Sequence, residues 1–277
     1  DELARRIVDP VFSDPSAHSG LETLLAIYGF AAQIYCDFSG YTDMAIGLAL
    51  LLGFRLPQNF DRPYLATSLR LFWHGWHMTL SRWLRDYLYI PLGGNRKGPR
   101  RTYINLMLTM LLGGLWHGAS WTFVVWGGLH GAALAVTKMF QDWRARRARA
   151  KDPSAPRRPA PPAPGFSWGR LLGVVATFHF VCACWVFFRA ETFAQAHLMF
   201  SQLGTLTTFH PNLHPSILLV MAIGLVSHFL PDRLYQGALN GFVRMPAPAQ
   251  GLALFLAAVA LRQMASTSAV PFVYFQF

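Results

Sequence analysis

The 277 residues are 53% hydrophobic and 14% aromatic but only 13% charged, with a mean hydropathy of +0.29. That excludes an ordinary soluble domain, in which about a quarter of residues are charged. The formal net charge of +11 does not point to nucleic acid: of 24 Lys and Arg, four lie in Arg96–Arg101 and eight in Lys138–Arg158, each run beside an apolar segment, which is the positive-inside bias of cytoplasmic loops.

The composition therefore predicts an all-α, polytopic membrane helix bundle, with interfacial and re-entrant helices around a central tunnel and the whole chain, 1–277, as one membrane domain. Cys36, Cys182 and Cys184 all sit in apolar runs and read as small apolar filler rather than as a disulfide or zinc site. The chain begins at Asp1, and residues 1–20 are polar, without the apolar core of a signal peptide. The expectation is a fragment that lacks earlier spans.

In chain order, Leu21–Cys36 is a short apolar helix that runs into DFSGYTDMAIGLALLLGF, with Ser39 and Gly40 as the expected break. Asp37 and Asp43 flank that break. Two readings stand for them: Asp37 ends one helix while Asp43 caps the next, or both shape an active-site cavity. After a loop marked by Pro57 and Pro63, the run from about Leu65 to Leu88 has helical spacing interrupted by Arg70, Arg82, Arg85 and Asp86. It is too polar to span and too aromatic to lie free in water, so an interfacial helix is expected, with Trp73, Trp76 and Trp83 near the headgroups. His74 and His77, three apart, then share a face. PLGGNRKGPRR follows as a basic cytoplasmic turn.

Between the two basic runs, Tyr103–Phe140 offers 38 residues. Two spans of about 20 residues would leave nothing for a turn. The break from Gly113 and Gly114 to Gly118 is therefore expected inside the membrane, where non-helical backbone is tolerated only if it lines protein or a water-filled cavity. His117, in LLGGLWHGASW, falls in that break, and an ionisable side chain in apolar sequence is a functional-site candidate by default. Residues 141–166 read as a basic Pro/Ala-rich cytoplasmic linker, in which a basic helix end, KMFQDWRARRARAK from Lys138, is followed by a Pro/Ala/Arg tract, a topogenic loop that could also touch anionic lipid. Further spans are expected at about 168–188, 215–230 and 249–266, with a surface helix within 189–214 on the opposite face.

DFSGYTDMAIGLALLLGF, WHMTLSRWLRDYLYIPLGGNR, GGLWHGASWTFVVWGGLHG and the closing PFVYFQF together resemble the membrane-bound O-acyltransferase family, in its bacterial alginate O-acetylase branch. The resemblance implies that His117 is catalytic and that His77 is its active-site companion. It also implies an acetyl donor on the cytoplasmic side, acetyl-CoA or an acetylated carrier, with no bound cofactor and no metal. The implied setting is the bacterial inner membrane, with membrane lipids, periplasmic acetyltransferase partner proteins and an exopolysaccharide acceptor, and no nucleic acid. Family members run longer on the N-terminal side. Gly75, before the Trp–His pair, departs from the basic residue usual there.

Moving an acyl group from a thioester to a sugar hydroxyl needs a base with a pKa near 7, and imidazole supplies it. No thiol or serine stands in a nucleophile setting, so direct attack assisted by His117 is expected, with His77 orienting or stabilising the developing oxyanion; an acyl-histidine intermediate remains open. Trp73, Trp76, Trp116, Asp37 and Asp43 are the candidate tunnel-lining residues. Arg82, Arg85, Arg96 and Lys97 could attract a phosphorylated donor, beside their topogenic reading. His74, His130 and His179 read as packed residues. Two other classes carry less: a di-iron membrane oxygenase needs more histidine clusters than the single HxxH of His74 and His77, and a transporter or scaffold would show substrate-lining charges or inverted repeats.

Overall fold

The computed structural model describes residues 3–152, 154 and 167–264, and every regular element among them is helical. The N-terminal stretch, expected to be polar, is a π-turn at Ala4–Val8 leading into α1, Asp9–Ser13. Its spacing puts Ile7, Val8, Val11 and Phe12 in the core while Arg5 and Arg6 face out. Next comes α2, Gly20–Leu51, opened by a capping box in which Ser19 and Glu22 satisfy each other's backbone N–H. The expected break at Ser39 and Gly40 does not occur. A glycine costs a helix only about 1 kcal/mol relative to alanine, and the buried stripe Phe30, Ala31, Ile34, Phe38 outweighs it. Asp37 and Asp43 thus lie within one helix, half-buried and exposed respectively.

The expected interfacial helix is two short ones, α3 (Leu69–Gly75) and α4 (Met78–Leu84), the second extended by a π-turn to Tyr89. His77 stands between them with φ 42°, so His74 and His77 do not share a face. Trp83 alone of the three tryptophans is exposed, at 53%, whereas Trp76 is buried; the break turns Trp76 inward against Phe60, Phe72 and Trp185.

Two long helices follow, α5 (Gly98–His117) and α6 (Trp121–Lys151), the most extensively packed pair in the molecule. Gly113 and Gly114 are helical, and only Gly118–Ser120 are not. The hairpin fits because parts of the basic runs, Arg100 and Arg101 and the stretch Lys138–Lys151, are themselves helical: α5 starts at Gly98 and α6 runs to Lys151, giving lengths of about 30 and 46 Å. Glycines let the two approach: a Cβ on Gly114 would lie 2.3 Å from the Phe123 carbonyl oxygen, and one on Gly127 2.3 Å from that of Met110.

α7 (Trp168–Arg189) matches the expected span and, with α6, is long and apolar enough to cross a membrane. α8 (Phe193–Gly204) is the expected surface helix. It buries Ala196 and Met199, and its Gln195 and Gln202 amides donate to the carbonyls of Phe12 and His18. α9 (Pro215–His228) is followed by α10 (Asp232–Arg244) at a 90° bend, and the pair counts as a third span if taken as one. α11 is Ala247–Met264. It lies on the last expected span but is not among the helices long and apolar enough to cross a membrane, and its Leu252, Leu254, Phe255 and Leu256 face outward. Residues 155–166 of the 141–166 linker and the closing PFVYFQF lie outside the described residues.

Candidate functional site

The site begins with the backbone break at His77. A non-glycine residue at positive φ is uncommon and costs of order 1–3 kcal/mol, so surrounding contacts must hold it. The loop before α3 does so from both sides: Asp61 N–H donates to Gly75 O at 2.9 Å, and Met78 N–H to Asn59 O at 2.9 Å. Gly75 permits this approach, since a Cβ there would lie 2.3 Å from Asp61 O.

Held in this way, His77 meets Phe38 of α2 edge-on at 4.7 Å, and its Nδ1 lies 3.2 Å from Asn59 Oδ1. His117 ends α5 and is enclosed by the other elements: Trp126 of α6 at 5.3 Å, Phe188 of α7 at 5.1 Å and Phe123 of α6 at 6.2 Å. Ser120 caps α6 by accepting from Thr122 N–H, so the chain reverses in three residues and brings Phe123 and Trp126 back over the imidazole. His77 and His117 come from different hairpins yet are near enough to interact electrostatically. Burial, with a smaller contribution from His117, pushes the His77 imidazole down to about 3. Burial likewise pushes His117 down to about 4, so both imidazoles are weaker bases than the pKa near 7 expected from the sequence, and both are held neutral as proton acceptors.

The other sequence candidates are dispersed. Trp73 donates from Nε1 to Nδ1 of the fully buried His130 at 3.2 Å, and Trp76 is a core residue; Trp116 is 62% exposed, although its ring lies 5.1 Å from that of His117. Asp43 is exposed on the distal half of α2. His74 Nδ1 bonds Arg70 O at 2.7 Å, and His179 bonds Val175 O and Tyr28 Oη. Arg82, Arg85, Arg96 and Lys97 are all exposed; Arg85 pairs with Asp86 at 2.7 Å and Arg96 donates to Ile90 O at 3.2 Å. Among the described residues, Lys138, Arg146 and Arg149 line a groove of about 330 Å³ between the start of α5 and the end of α6, and Arg144, Arg147 and Lys151 line another near the end of α6. Among the described residues no group of three or more His, Cys, Asp or Glu side chains could hold a metal.

Sequence reasoning missed two polar residues in this core. Asn59 lies 18 positions before His77 in a Pro-flanked loop, where no period marks it. His228, at the end of α9, accepts from Tyr64 N–H at 3.1 Å and meets the Tyr35 ring at 4.8 Å; only the burial of an apolar-flanked histidine would have flagged it.

Comparison with known proteins gives the arrangement a family. The profile of MBOAT, the membrane-bound O-acyltransferase family, matches residues 22–201 and so includes both histidines. The chain is 47% identical over 203 residues to the probable alginate O-acetylase AlgI of Azotobacter vinelandii, covering 73% of this chain and 36% of that protein. It is 41% identical over 185 residues to a peptidoglycan O-acetyltransferase of Helicobacter pylori (67% and 32%). To a teichoic acid D-alanyltransferase of Bacillus subtilis it is 29% identical over 186 residues (64% and 43%). The chain spans about a third of the length of the first two of these relatives. With the match extending over well over half of its residues and across the whole His77–His117 region, the chain belongs to the membrane-bound O-acyltransferase family.

Proposed function

We propose that the protein is a membrane-embedded O-acyltransferase of the bacterial inner membrane. It passes acetyl groups from a cytoplasmic thioester, acetyl-CoA or an acetylated carrier, toward hydroxyls of an alginate-like exopolysaccharide, with periplasmic acetyltransferase proteins as partners. The observation that supports this reading is that His77 and His117, from separate elements and each against aromatic rings, lie near enough to interact electrostatically. Two of the similar proteins are named for O-acetyl transfer and the third for D-alanyl transfer; acyl transfer is common to all three, and the higher identity to the alginate protein supports an alginate-like acceptor.

His117 acts as base. It takes the proton of the acceptor hydroxyl as the new O–C bond forms, and returns that proton to the thiolate released when the C–S bond breaks. No charged nucleophile is needed, because the pocket holds hydroxyl and carbonyl together while excluding water. From Arg101 to His117 α5 rises about 24 Å, against a hydrocarbon core of about 30 Å. The basic turn can therefore face the cytosol while the histidine meets a tunnel open toward the other side.

The test is transfer of radiolabelled acetyl from acetyl-CoA in membranes carrying the intact protein. His117→Ala should lower transfer by about 10²- to 10⁴-fold with insertion preserved. His77→Ala should cost no more, and the double variant should lose far less than the product of the two, since groups acting on one transition state are non-additive. Near-normal transfer by a properly inserted His117→Ala protein would refute the mechanism.

A further inference from the structure

We infer that Asn59 and Thr79 lock His77 in the Nδ1–H tautomer, so that the ring takes part through Nε2 as a hydrogen-bond acceptor and not as a donor to an oxyanion. Asn59 is 5% exposed. Its Oδ1 faces three groups: Thr79 N–H at 3.1 Å, Thr79 Oγ1 at 2.9 Å and His77 Nδ1 at 3.2 Å. A backbone N–H can only donate, so the amide atom opposite Thr79 N–H must be the oxygen, and the usual ambiguity between the two ends of an asparagine side chain disappears.

The atom facing His77 Nδ1 is therefore an acceptor, and Nδ1 must carry the hydrogen. The other tautomer would set two lone pairs against each other across 3.2 Å in a buried site. Thr79 Oγ1, 3.3 Å from Nδ1, could relieve that only by giving up its shorter bond to Asn59. The backbone of Asn59 adds to the lock by accepting from Met78 N–H, which keeps His77 in its left-handed conformation. Burial holds the ring neutral, and a neutral imidazole has one hydrogen. With that hydrogen directed from Nδ1 at Asn59 Oδ1, Nε2 is left as an acceptor, able to receive in relay the proton that His117 takes from the hydroxyl. Asn59 is thus a positioning residue that acts through His77.

This rests on the acyltransferase reading for its kinetic consequence but not for its tautomer. In the intact protein, Asn59→Ala should lower kcat for acetyl transfer by about 10- to 100-fold, as loss of a ring-orienting partner does elsewhere, with KM for acetyl-CoA changed less than twofold. Asn59→Asp should restore most of the rate and move the acid limb of the kcat profile to higher pH, because a carboxylate stabilises the imidazolium. ¹⁵N spectra of histidine-labelled protein, with His77 identified by its loss in His77→Gln, should show Nδ1 protonated and Nε2 bare, and Asn59→Ala should mix the two forms. A wild-type His77 protonated at Nε2, or an acid limb unmoved in Asn59→Asp, would overturn the inference. If His77→Gln keeps full transfer while the tautomer depends on Asn59, the positioning stands and the catalytic reading of His77 fails. Should Asn59→Ala fail to insert, the wild-type spectrum and Asn59→Asp still decide.

Discussion

Gly114 lies three residues before His117 in the last turns of α5, where that helix crosses α6. A Cβ at this position would lie 2.3 Å from the Phe123 carbonyl oxygen and 3.3 Å from Gly127 Cα, against ordinary contact from 3.4 Å. The obstruction is backbone, so it cannot rotate away; Gly114→Ala must push the helices apart locally by about 1 Å, the difference between 3.4 and 2.3 Å. Because Phe123 and Trp126 of α6 wall His117, that displacement moves the base relative to its surround. Misplacement of about 1 Å costs on the order of 10²-fold in rate, and overpacking of this kind costs about 1–3 kcal/mol in stability. Gly128→Ala is the matched control, since its Cβ would meet only Leu111 Cδ2 at 3.6 Å. The assay is acetyl transfer in membranes, normalised to inserted protein, alongside the thermal midpoint in detergent. Gly114→Ala transferring acetyl within threefold of wild type would show that the α5–α6 crossing does not set the geometry at His117.

Topology can be read by single cysteines at Lys97 and Gln202 in a background lacking the native three: an impermeant thiol reagent on intact cells should label position 202 and spare position 97, and equal labelling of both would reject the assigned orientation. Acid sensitivity follows from His77, whose imidazole titrates near 6.5 when unfolded and is pushed down to about 3 in the fold. Between those values the unfolded chain binds a proton that the native protein does not, so stability is full above about 6.5 and falls as pH drops toward 3. The thermal midpoint should decline across pH 7 to 4, less steeply in His77→Gln; parallel declines would mean that His77 is not buried neutral.

The sequence carries the membrane class and the helical character because both are matters of composition and of apolar run length, which local residues set. It also marks His117 and His77, whose Trp-flanked apolar setting is local. Helix continuity through Ser39 and Gly40 was not legible, because a weak break is overruled by packing of Phe30, Ile34 and Phe38 against distant helices. Nor was the length of the α5–α6 hairpin, since basic residues read as loop are competent helix formers once a neighbour packs beside them. The spacing of His74 and His77 suggested a shared face, and the backbone contacts of Asp61 and Asn59 with Gly75 and Met78 decided otherwise. Composition and pattern thus determine by themselves that this chain is a helical membrane protein with two exceptional histidines. Only tertiary structure brings those histidines within electrostatic reach of each other and supplies Asn59 to one of them, because contacts across 18 and 40 residues of chain leave no periodic trace in a sequence.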